Sequence, residues 1–430
     1  MRETLTLNQE EQRRLLVLNE VNAGRLTTSK AAEALGLSVR QVRRILAAYR
    51  KEGAEAIAHG NRGKTPANAL SEEVRERILS LARTKYAGFN HLHTAEKLRE
   101  EGIGAGVSTV RRIVADSGLP TPRKRRPAKH RSRRERYPKE GMLLQIDGSP
   151  HDWLEGRGPV MCLLGGIDDA TGKVPYALFR PVEDSAGYIL LLKGVVERKG
   201  RPVAIYRDRH SIFEISSRQP TLAEQLSGRR EPTQFGRVLE ELAIASIAAR
   251  SPQAKGRIER LWQTLQDRLV SEMRLLGICE IDSANAFLPG FLDRFNRQFS
   301  VPAADEDSAY RSMPEDLDPK TVFCFKESRV VDADNTISYG GRSLQLLASP
   351  ERASYAKAKV EVNEQLDGTL AVFLEGREIK SRPAPAPPAR LRALARPKPE
   401  TKGTEQSGKK AGNSSWGKHF KLRPRLQAST

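Results

Sequence analysis

Three acidic residues stand where a folded chain could gather carboxylates for metal-dependent chemistry. Asp147 ends the apolar stretch in MLLQIDGS, Asp208 ends that in RPVAIYRDRH, and Glu259 lies in SPQAKGRIERLWQTL. If the two predicted strands are neighbours, both aspartates meet at one edge of the sheet. Crowded carboxylates repel one another unless cations hold them, and hard oxygen ligands suit Mg²⁺ or Mn²⁺. Two such ions, about 3.5–4 Å apart, can clamp the attacking and leaving oxygens of a phosphoryl transfer.

The stretch around Glu259 predicts an amphipathic helix. Apolar residues recur at helical spacing along it and define one face, namely Ile258, Leu261, Leu265 and Leu269. Glu259 lies beside this face, so we expect its carboxylate at the border between core and solvent. A helix that packs across the sheet can bring it to the two aspartates.

Other acids nearby have a simpler interpretation. Any one of the three carboxylates alone would be interpreted as a turn or cap residue, and only the combination favours a metal site. Asp168 and Asp169 also follow a strand, but they belong to the Gly-flanked turn DDATG and are expected to be structural. His210 has two open interpretations, contact with the site from beside Asp208 or a surface or packing role.

The order of elements around these acids predicts a mixed-sheet α/β domain over residues 141–300. Three strands come first, followed by a helix in SAGYILLLKGVVERK and the strand that carries Asp208. A polar insertion near 214–233 precedes the helix FGRVLEEL, the short strand AIASIAA and the helix of Glu259. In residues 315–380, stretches with a strand pattern alternate with Gly-Gly and Asp-Gly turns, and this order predicts a small β-domain.

Two helix-turn-helix units are predicted before this domain, over 1–66 and 67–120. In the first, Gly36 permits a sharp turn and Ser38 can cap a second helix, whose outward residues are Arg40, Gln41, Arg43 and Arg44. In the second, Ser108 is the expected cap, and Arg111 and Arg112 face outward. An ordinary helical hairpin with a solvated basic face is the alternative for the first unit. The second is either a tandem reader of one long site or a unit that packs against the first.

The distribution of charge points to a polyanionic partner. The 430 residues carry a formal net charge of +20. Residues 121–140 hold ten Lys or Arg against two Glu, and residues 381–430 hold twelve against two. We expect the first segment to be a basic linker that tracks a phosphate backbone, with contacts from Arg123, Lys124, Arg125 and Arg126. The second, which has seven prolines, is expected to be a disordered tail.

Composition excludes several other classes of protein. Three scattered cysteines exclude a disulfide scaffold and any Cys-x-x-Cys zinc site, and each is expected to be a small buried hydrophobe. No apolar window has signal-peptide or membrane-span length, so no membrane partner is expected. We expect a soluble protein of a reducing cytoplasm.

At this point the sequence resembles a known family. QIDGSPHDWLEG, YRDRHSIF and SPQAKGRIERLWQTLQDRL are similar to the three signature segments of DDE transposases of bacterial insertion sequences. These belong to the retroviral-integrase superfamily, whose catalytic core is RNase H-like. The resemblance covers most of the chain and implies that Asp147, Asp208 and Glu259 are the metal-binding catalytic acids. It also implies an SH3-like barrel as the β-domain.

The resemblance implies a Mg²⁺- or Mn²⁺-dependent transposase with two ions in each active site, located in the bacterial cytoplasm and associated with the nucleoid. Such an enzyme binds double-stranded DNA at the terminal inverted repeats, cleaves the transposon ends and joins their 3′-hydroxyls to target DNA, with two or more subunits pairing the ends. Two features depart from the family pattern. Fifty residues separate Asp208 from Glu259 where about 35 are common, and Gln266 stands where many members have Lys or Arg. Contact with terminal DNA then passes to other basic residues of this segment, Lys255, Arg257, Arg260 or Arg268.

Two other functions remain open from the sequence. One is a DNA-binding regulator that keeps the helix-turn-helix units over an inactive core. The other is an RNase H-like nuclease that cuts without joining. The three acids argue against the first, and the DNA-reading units and basic segments argue against the second.

Overall fold

A computed structural model describes residues 6–58, 69–120, 135–215, 219, 222–228, 230–249 and 255–385 of the chain. The described part divides into two compact units. One comprises the residues up to 328 together with 361–371, and the other comprises 329–360 and the residues from 372 onward.

The first helical region has the predicted helix-turn-helix. Its helices are α1 (Gln9–Asn22), α2 (Thr28–Leu35) and α3 (Val39–Glu52), followed by a short 3₁₀ helix (Gly53–Ile57). Gly36 ends α2 in the left-handed conformation, with φ at 64°, which an L side chain would strain. The Ser38 hydroxyl accepts a hydrogen bond from the backbone N–H of Gln41 and caps α3, as predicted.

Three helices form the second region, α4 (Glu72–Arg83), α5 (His91–Glu100) and α6 (Val107–Asp116). The prediction of a Ser108 cap is wrong, because α6 already begins at Val107 with Gly106 as its N-cap and no side-chain cap bond. Ser108 therefore lies inside the first turn. The helices enclose their own apolar core, which includes Ile78, Leu98 and Val110.

A five-stranded mixed sheet forms the centre of the α/β domain. Its strands are β1 (Leu143–His151), β2 (Met161–Asp168), β3 (Ala177–Arg180), β4 (Ala204–Arg207) and β5 (Ala245–Ala248). Their order across the sheet is β3-β2-β1-β4-β5. β1, β2 and β3 pair antiparallel, whereas β4 lies parallel to both β1 and β5.

Helices cover both faces of this sheet. They are α7 (Ser185–Lys199), α9 (Gln234–Glu241), α10 (Gly256–Leu275) and α11 (Ile281–Phe299), whereas the short helix α8 (Leu222–Ser227) adds none of its described residues to the two clusters that pack on the sheet. Alternate strand residues face opposite layers, so Cys162 and Leu164 pack in one cluster with α7 and α9, while Met161 and Leu163 pack in another with α10 and α11. The polar insertion, of which only part is described, contains the short helix α8, which the sequence did not predict.

Two of the three cysteines are buried as predicted. Burial raises the pKa of the Cys162 thiol to about 12, and Cys324 is also buried. Cys279 is exposed, so the prediction is wrong there, because it lies in the connection between α10 and α11 and not in either apolar face.

The C-terminal part is rich in strands, as predicted. After the short helix α12 (Pro319–Val322) come β6 (Cys324–Val330), β7 (Thr336–Tyr339), β8 (Arg342–Leu346), β9 (Lys359–Gln365), β10 (Leu370–Leu374), β11 (Arg377–Ile379) and β12 (Ser381–Pro383). They form sheets of order β11-β10-β9-β6 and β12-β8-β7. An SH3-like barrel stays a prediction.

Two predicted segments extend past the described residues. The prediction that residues 381–430 are disordered is wrong for β12, because this strand pairs with β8. Residues 386–430 lie outside the described part. In the basic linker, 121–134 are likewise not described. None of the helices in the described residues has the length and apolar character to cross a membrane.

Candidate active site

Asp147 and Asp208 lie side by side on neighbouring parallel strands. The pairing of β1 with β4 matches Leu143 to Ala204 and Gln145 to Tyr206, and continuing this register places Asp208 opposite Asp147. Asp208 directly follows β4, as predicted. Asp147 does not end its strand, because β2 pairs with β1 as far as His151. The two aspartates still meet as expected, because the register of β1 with β4 places them opposite each other.

Between the two carboxylates lies the ammonium group of Lys255. Its Nζ donates to Asp147 Oδ1 at 2.8 Å and lies 3.6 Å from Asp208 Oδ2. The Lys255 side chain is 9% exposed, whereas those of Asp147 and Asp208 are 22% and 43% exposed. A single positive charge therefore faces two carboxylates at a position that solvent can reach. The pair can hold a cation here.

The second oxygen of Asp147 is oriented by Trp262. The indole Nε1 donates to Asp147 Oδ2 at 3.1 Å. The indole packs closely on β2, since a Cβ added at Gly165 would lie 3.0 Å from the Trp262 ring. A side chain at this position would require the indole to shift. One oxygen of Asp147 thus contacts a fixed donor and the other contacts Lys255.

One face of α10 is directed to this edge of β1. Lys255, Glu259, Trp262 and Gln266 recur at intervals of four, three and four residues, which is one helical face. Gln266, the residue that departs from the family pattern, donates from Nε2 to Ser149 Oγ at 3.2 Å. Since the face contacts Asp147 through Lys255 and Trp262, Glu259 lies on the same side of α10 as both contacts.

The structure brings two of the three predicted acids together and leaves Glu259 apart. Glu259 is exposed. Within the described residues, no three His, Cys, Asp or Glu side chains converge closely enough to bind a metal ion. Asp147 and Asp208 form the assembled part of the candidate site, and Glu259 stays a prediction for its third acid.

The interpretation of Asp168 and Asp169 as structural residues is confirmed. Asp168 accepts from the backbone N–H groups of Gly141 and Thr171 and from the Thr171 hydroxyl. Asp169 accepts from the backbone of Tyr137, and its Oδ1 lies 2.9 Å from Arg257 Nε. Both aspartates fix the start and end of strands that carry the site.

Burial distinguishes Asp168 further. Desolvation raises the pKa of Asp168, and the hydrogen bonds from Gly141 and Thr171 only partly oppose it.

His210 belongs to the turn that follows Asp208. Its backbone N–H donates to Asp208 Oδ1 at 2.9 Å, and its ring Nδ1 accepts from the backbone N–H of Ile212. The ring is thereby engaged in local structure, while the main chain orients Asp208.

A further carboxylate that the sequence did not single out lies on the opposite side of β1. Tyr188 donates from its hydroxyl to Glu183 Oε1 at 2.5 Å, and a Cβ added at Gly148 would lie 2.7 Å from the Glu183 carboxyl carbon. Burial raises the pKa of Tyr188 most, and the negative charge of the nearby Glu183 raises it further. The glycine after Asp147 is the signal in the sequence, since a side chain there would displace the Glu183 carboxylate from its present position.

The second helical region is attached to the other side of α10. Arg268 forms two hydrogen bonds to Glu96, at 2.7 and 3.1 Å, and Asn90 donates to Asp267. His93 Nε2 lies 3.3 Å from Glu272. The structure thus packs this region against the α/β domain, a contact that neither of its two open roles included, and the role as a tandem reader stays a prediction. Because Arg268 is buried in this contact, it is not placed to grip DNA.

The predicted DNA-contacting residues differ in their surroundings. Those of α3 and α6 are exposed, namely Arg40, Gln41, Arg43, Arg44, Arg111 and Arg112. Arg260 is exposed and donates to the Gly256 carbonyl. Lys255 is buried against the aspartates, and Arg257 is paired with Asp169. Arg123, Lys124, Arg125 and Arg126 lie outside the described residues.

Comparison with known families identifies the N-terminal region. A family model described as winged helix-turn helix matches residues 14–76. The match starts within α1 and ends within α4, so it includes the greater part of α1 and the whole of α2 and α3. The N-terminal helical region is thus a helix-turn-helix region of the kind that binds DNA.

Similarity to whole proteins extends over most of the chain. A protein of Sinorhizobium fredii described as a transposase, y4bF, is 39% identical over 88% of this chain and 82% of its own length. The transposase for insertion sequence IS1202 of Streptococcus pneumoniae is 32% identical over 77% of each chain. Among solved structures, a chain of a simian T-cell lymphotropic virus intasome, in complex with PP2A regulatory subunit B56 gamma, has 15% identity and a TM-score of 0.31. That match covers 72% of this chain and all of the other. The chain therefore belongs to a family of bacterial transposases that includes the transposase of insertion sequence IS1202, as its sequence motifs predicted.

Proposed function

We propose that this transposase binds the terminal inverted repeats of an insertion sequence, cleaves the transposon ends and joins the 3′-hydroxyl ends to target DNA. The observation that carries the proposal is the pair of aspartates, Asp147 and Asp208, which lie on either side of one ammonium group and are carried by two neighbouring parallel strands. The reaction class comes from relatives that are described as transposases and are similar over most of this chain.

The donor set suits a divalent metal. Asp147 and Asp208 offer carboxylate oxygens to one point, and the charge of Lys255 at that point acts as a stand-in for a cation. Carboxylate ligands with access to solvent are the usual donors for Mg²⁺ and Mn²⁺ in sites that act on phosphates. We assign Asp147 and Asp208 as metal ligands and catalytic residues, and Glu259 as the third ligand, supplied from the adjacent face of α10.

Two metal ions bound here would supply a polarised water or 3′-hydroxyl nucleophile and would neutralise charge on the phosphate. The chain's own side chains hold the ligands. Trp262 fixes one oxygen of Asp147, the main chain of His210 orients Asp208, and Gln266 ties α10 to β1. Ligands held in this way need less rearrangement when a phosphate arrives.

DNA recognition is assigned to the two exposed basic helices. α3 presents Arg40, Gln41, Arg43 and Arg44, and α6 presents Arg111 and Arg112. A helix with outward basic and amide side chains can enter a major groove, where base edges specify sequence. Because α5 is hydrogen-bonded to α10, DNA bound by the second region would be held at a set distance from Asp147. Pairing of two ends requires at least two copies of the chain.

The test uses purified protein and labelled duplexes that carry the ends of the element that encodes it. With Mg²⁺ or Mn²⁺, we expect nicking at the end and larger joined products, and both should be lost in Asp208→Asn. Asp307→Asn, an exposed aspartate that pairs with Lys139, is the matched control. Binding of ends without cleavage would favour a regulator, and nicking without joining would favour a simple nuclease.

A further inference from the structure

Lys255 occupies an electrostatically unusual position. It is the residue that precedes α10, and no side-chain cap bond forms there. The N-terminus of a helix carries partial positive charge, which disfavours a lysine. Burial of the side chain to 9% exposure disfavours the charge again. The two carboxylates of Asp147 and Asp208 are the groups that offset both costs.

An ammonium group and a divalent metal cannot share this position. A Mg²⁺ ion requires oxygen ligands at about 2.0–2.1 Å, and Mn²⁺ binds the same kind of oxygen. The Lys255 Nζ stands 2.8 Å from one carboxylate and 3.6 Å from the other, within the space that such an ion would fill. An ammonium group and a divalent ion bound to the same carboxylate oxygens would also repel each other strongly. For the metal to bind, Lys255 has to leave.

We propose that Lys255 is an internal counter-ion that competes with the divalent metal for Asp147 and Asp208 and is released when the phosphates of a DNA end arrive. This inference rests on the proposed function, because it takes the two aspartates as metal ligands. DNA phosphates offer the displaced ammonium another anionic partner next to the site. Metal and DNA then bind cooperatively, and the chain without DNA has a weakened affinity for the metal.

The consequence can be measured without catalysis. Lys255→Met removes the charge and keeps most of the buried stem. Without DNA, its affinity for Mn²⁺, followed by the electron paramagnetic resonance signal of free Mn²⁺, should be roughly fivefold or more above that of the unaltered protein. Addition of an end duplex should strengthen Mn²⁺ binding in the unaltered protein and have less effect in the variant, because the linkage is reciprocal. Lys326→Met, which breaks a half-buried pair with Glu241 away from the site, is the control.

A second measurement uses the unaltered protein and so does not depend on how a variant folds. Acetylation by a water-soluble amine reagent, read by mass spectrometry, should be slow at Lys255 and should accelerate when Mn²⁺ and the end duplex are added. Lys326 should not change.

The outcomes separate this inference from the proposed function. Equal or weaker Mn²⁺ affinity in Lys255→Met, or continued protection of Lys255 when Mn²⁺ binds, would overturn the inference and leave the proposed function intact. Failure of the unaltered protein both to bind Mn²⁺ and to cleave DNA ends would remove the proposed function itself.

Discussion

Two pairs of aspartates illustrate how one residue type serves two purposes in this domain. Asp168 and Asp169 are 1% and 0% exposed, and they accept hydrogen bonds from backbone N–H groups and from a paired Arg257. Asp147 and Asp208 are 22% and 43% exposed at the side chain, and the ammonium group of Lys255 lies between them. Both pairs occur at the ends of apolar stretches.

The difference lies in where the compensating groups come from. Asp168 accepts from backbone N–H groups and the Thr171 hydroxyl. Asp169 accepts from a backbone N–H and from Gln145 and is paired with Arg257. Both are enclosed by fixed donors and so have no spare capacity for a ligand. A lysine side chain can rotate away, and solvent reaches the carboxylates that it leaves. The first pair should therefore contribute to stability, and the second should contribute to binding and catalysis.

The largest expected effect is on cleavage by Asp208→Asn. The amide keeps the shape of the side chain but removes a negatively charged ligand, so end cleavage should fall by more than about a hundredfold. Mutation of a residue that merely orients a metal ligand commonly lowers metal affinity or activity by about ten- to a hundredfold, and loss of the ligand itself should cost more. The free energy of unfolding should change little, because the variant also relieves repulsion between carboxylates. Cleavage and urea denaturation measured on the same preparation check both parts. A variant that cleaves normally would move Asp208 to the structural group.

Asp169→Asn should show the reverse pattern. It leaves the Arg257 guanidinium buried without its carboxylate, a change that costs about 3 kcal/mol in comparable buried pairs. Urea denaturation should report this loss, while cleavage per folded molecule should stay close to normal. If cleavage vanishes with no loss of stability, the distinction between the two pairs is wrong.

Trp262→Phe should have a smaller effect on the functional pair. Phe keeps an aromatic ring but lacks the N–H donor to Asp147 and the distal ring carbons that lie over Gly165. Cleavage should fall by about tenfold, as for other residues that orient a metal ligand. The unfolding free energy should fall by about 1 kcal/mol, the usual contribution of one hydrogen bond. Asp208→Asn combined with Trp262→Phe should cleave no less than Asp208→Asn alone.

The smallest effect is a pH dependence from Asp168. Burial raises its pKa in the folded protein above the ordinary 3.8. The stability that its protonated form contributes is present below pH 3.8 and is lost as the pH rises through the raised value. Asp168→Asn stays neutral, so its unfolding free energy should decline less over this range than that of the unaltered protein. Identical pH profiles for the two proteins would mean that Asp168 is not protonated more readily when folded.

Local patterns predicted much of this architecture. The helix Ser185–Lys199 has the predicted bounds because its periodicity and its Asp184 cap lie within one short stretch. The placement of Asp208 after an apolar strand and the Ser38 cap of α3 are equally local. The strand lengths and the contacts of the site depend on partners elsewhere in the chain.

Three features that the sequence did not predict show this dependence on distant partners. β1 continues past Asp147 because β2 pairs with it, and a sequence does not reveal where pairing stops. The sequence predicts Lys255 as a DNA contact, because nothing near it in the chain points to its partner Asp147, 108 residues away. The attachment of α5 to α10 joins Asn90 to Asp267, and nothing in either helix pattern indicates the other. Charged residues on a helix look solvated until their partner is known.

The most direct test of the metal assignment is an anomalous difference map from crystals of the full chain grown with Mn²⁺ and an end duplex. We predict a Mn²⁺ peak bonded to the carboxylates of Asp147 and Asp208, with the Lys255 ammonium displaced. Ordered Mn²⁺ elsewhere, with both aspartates still paired to Lys255 in protein that cleaves DNA, would contradict the account.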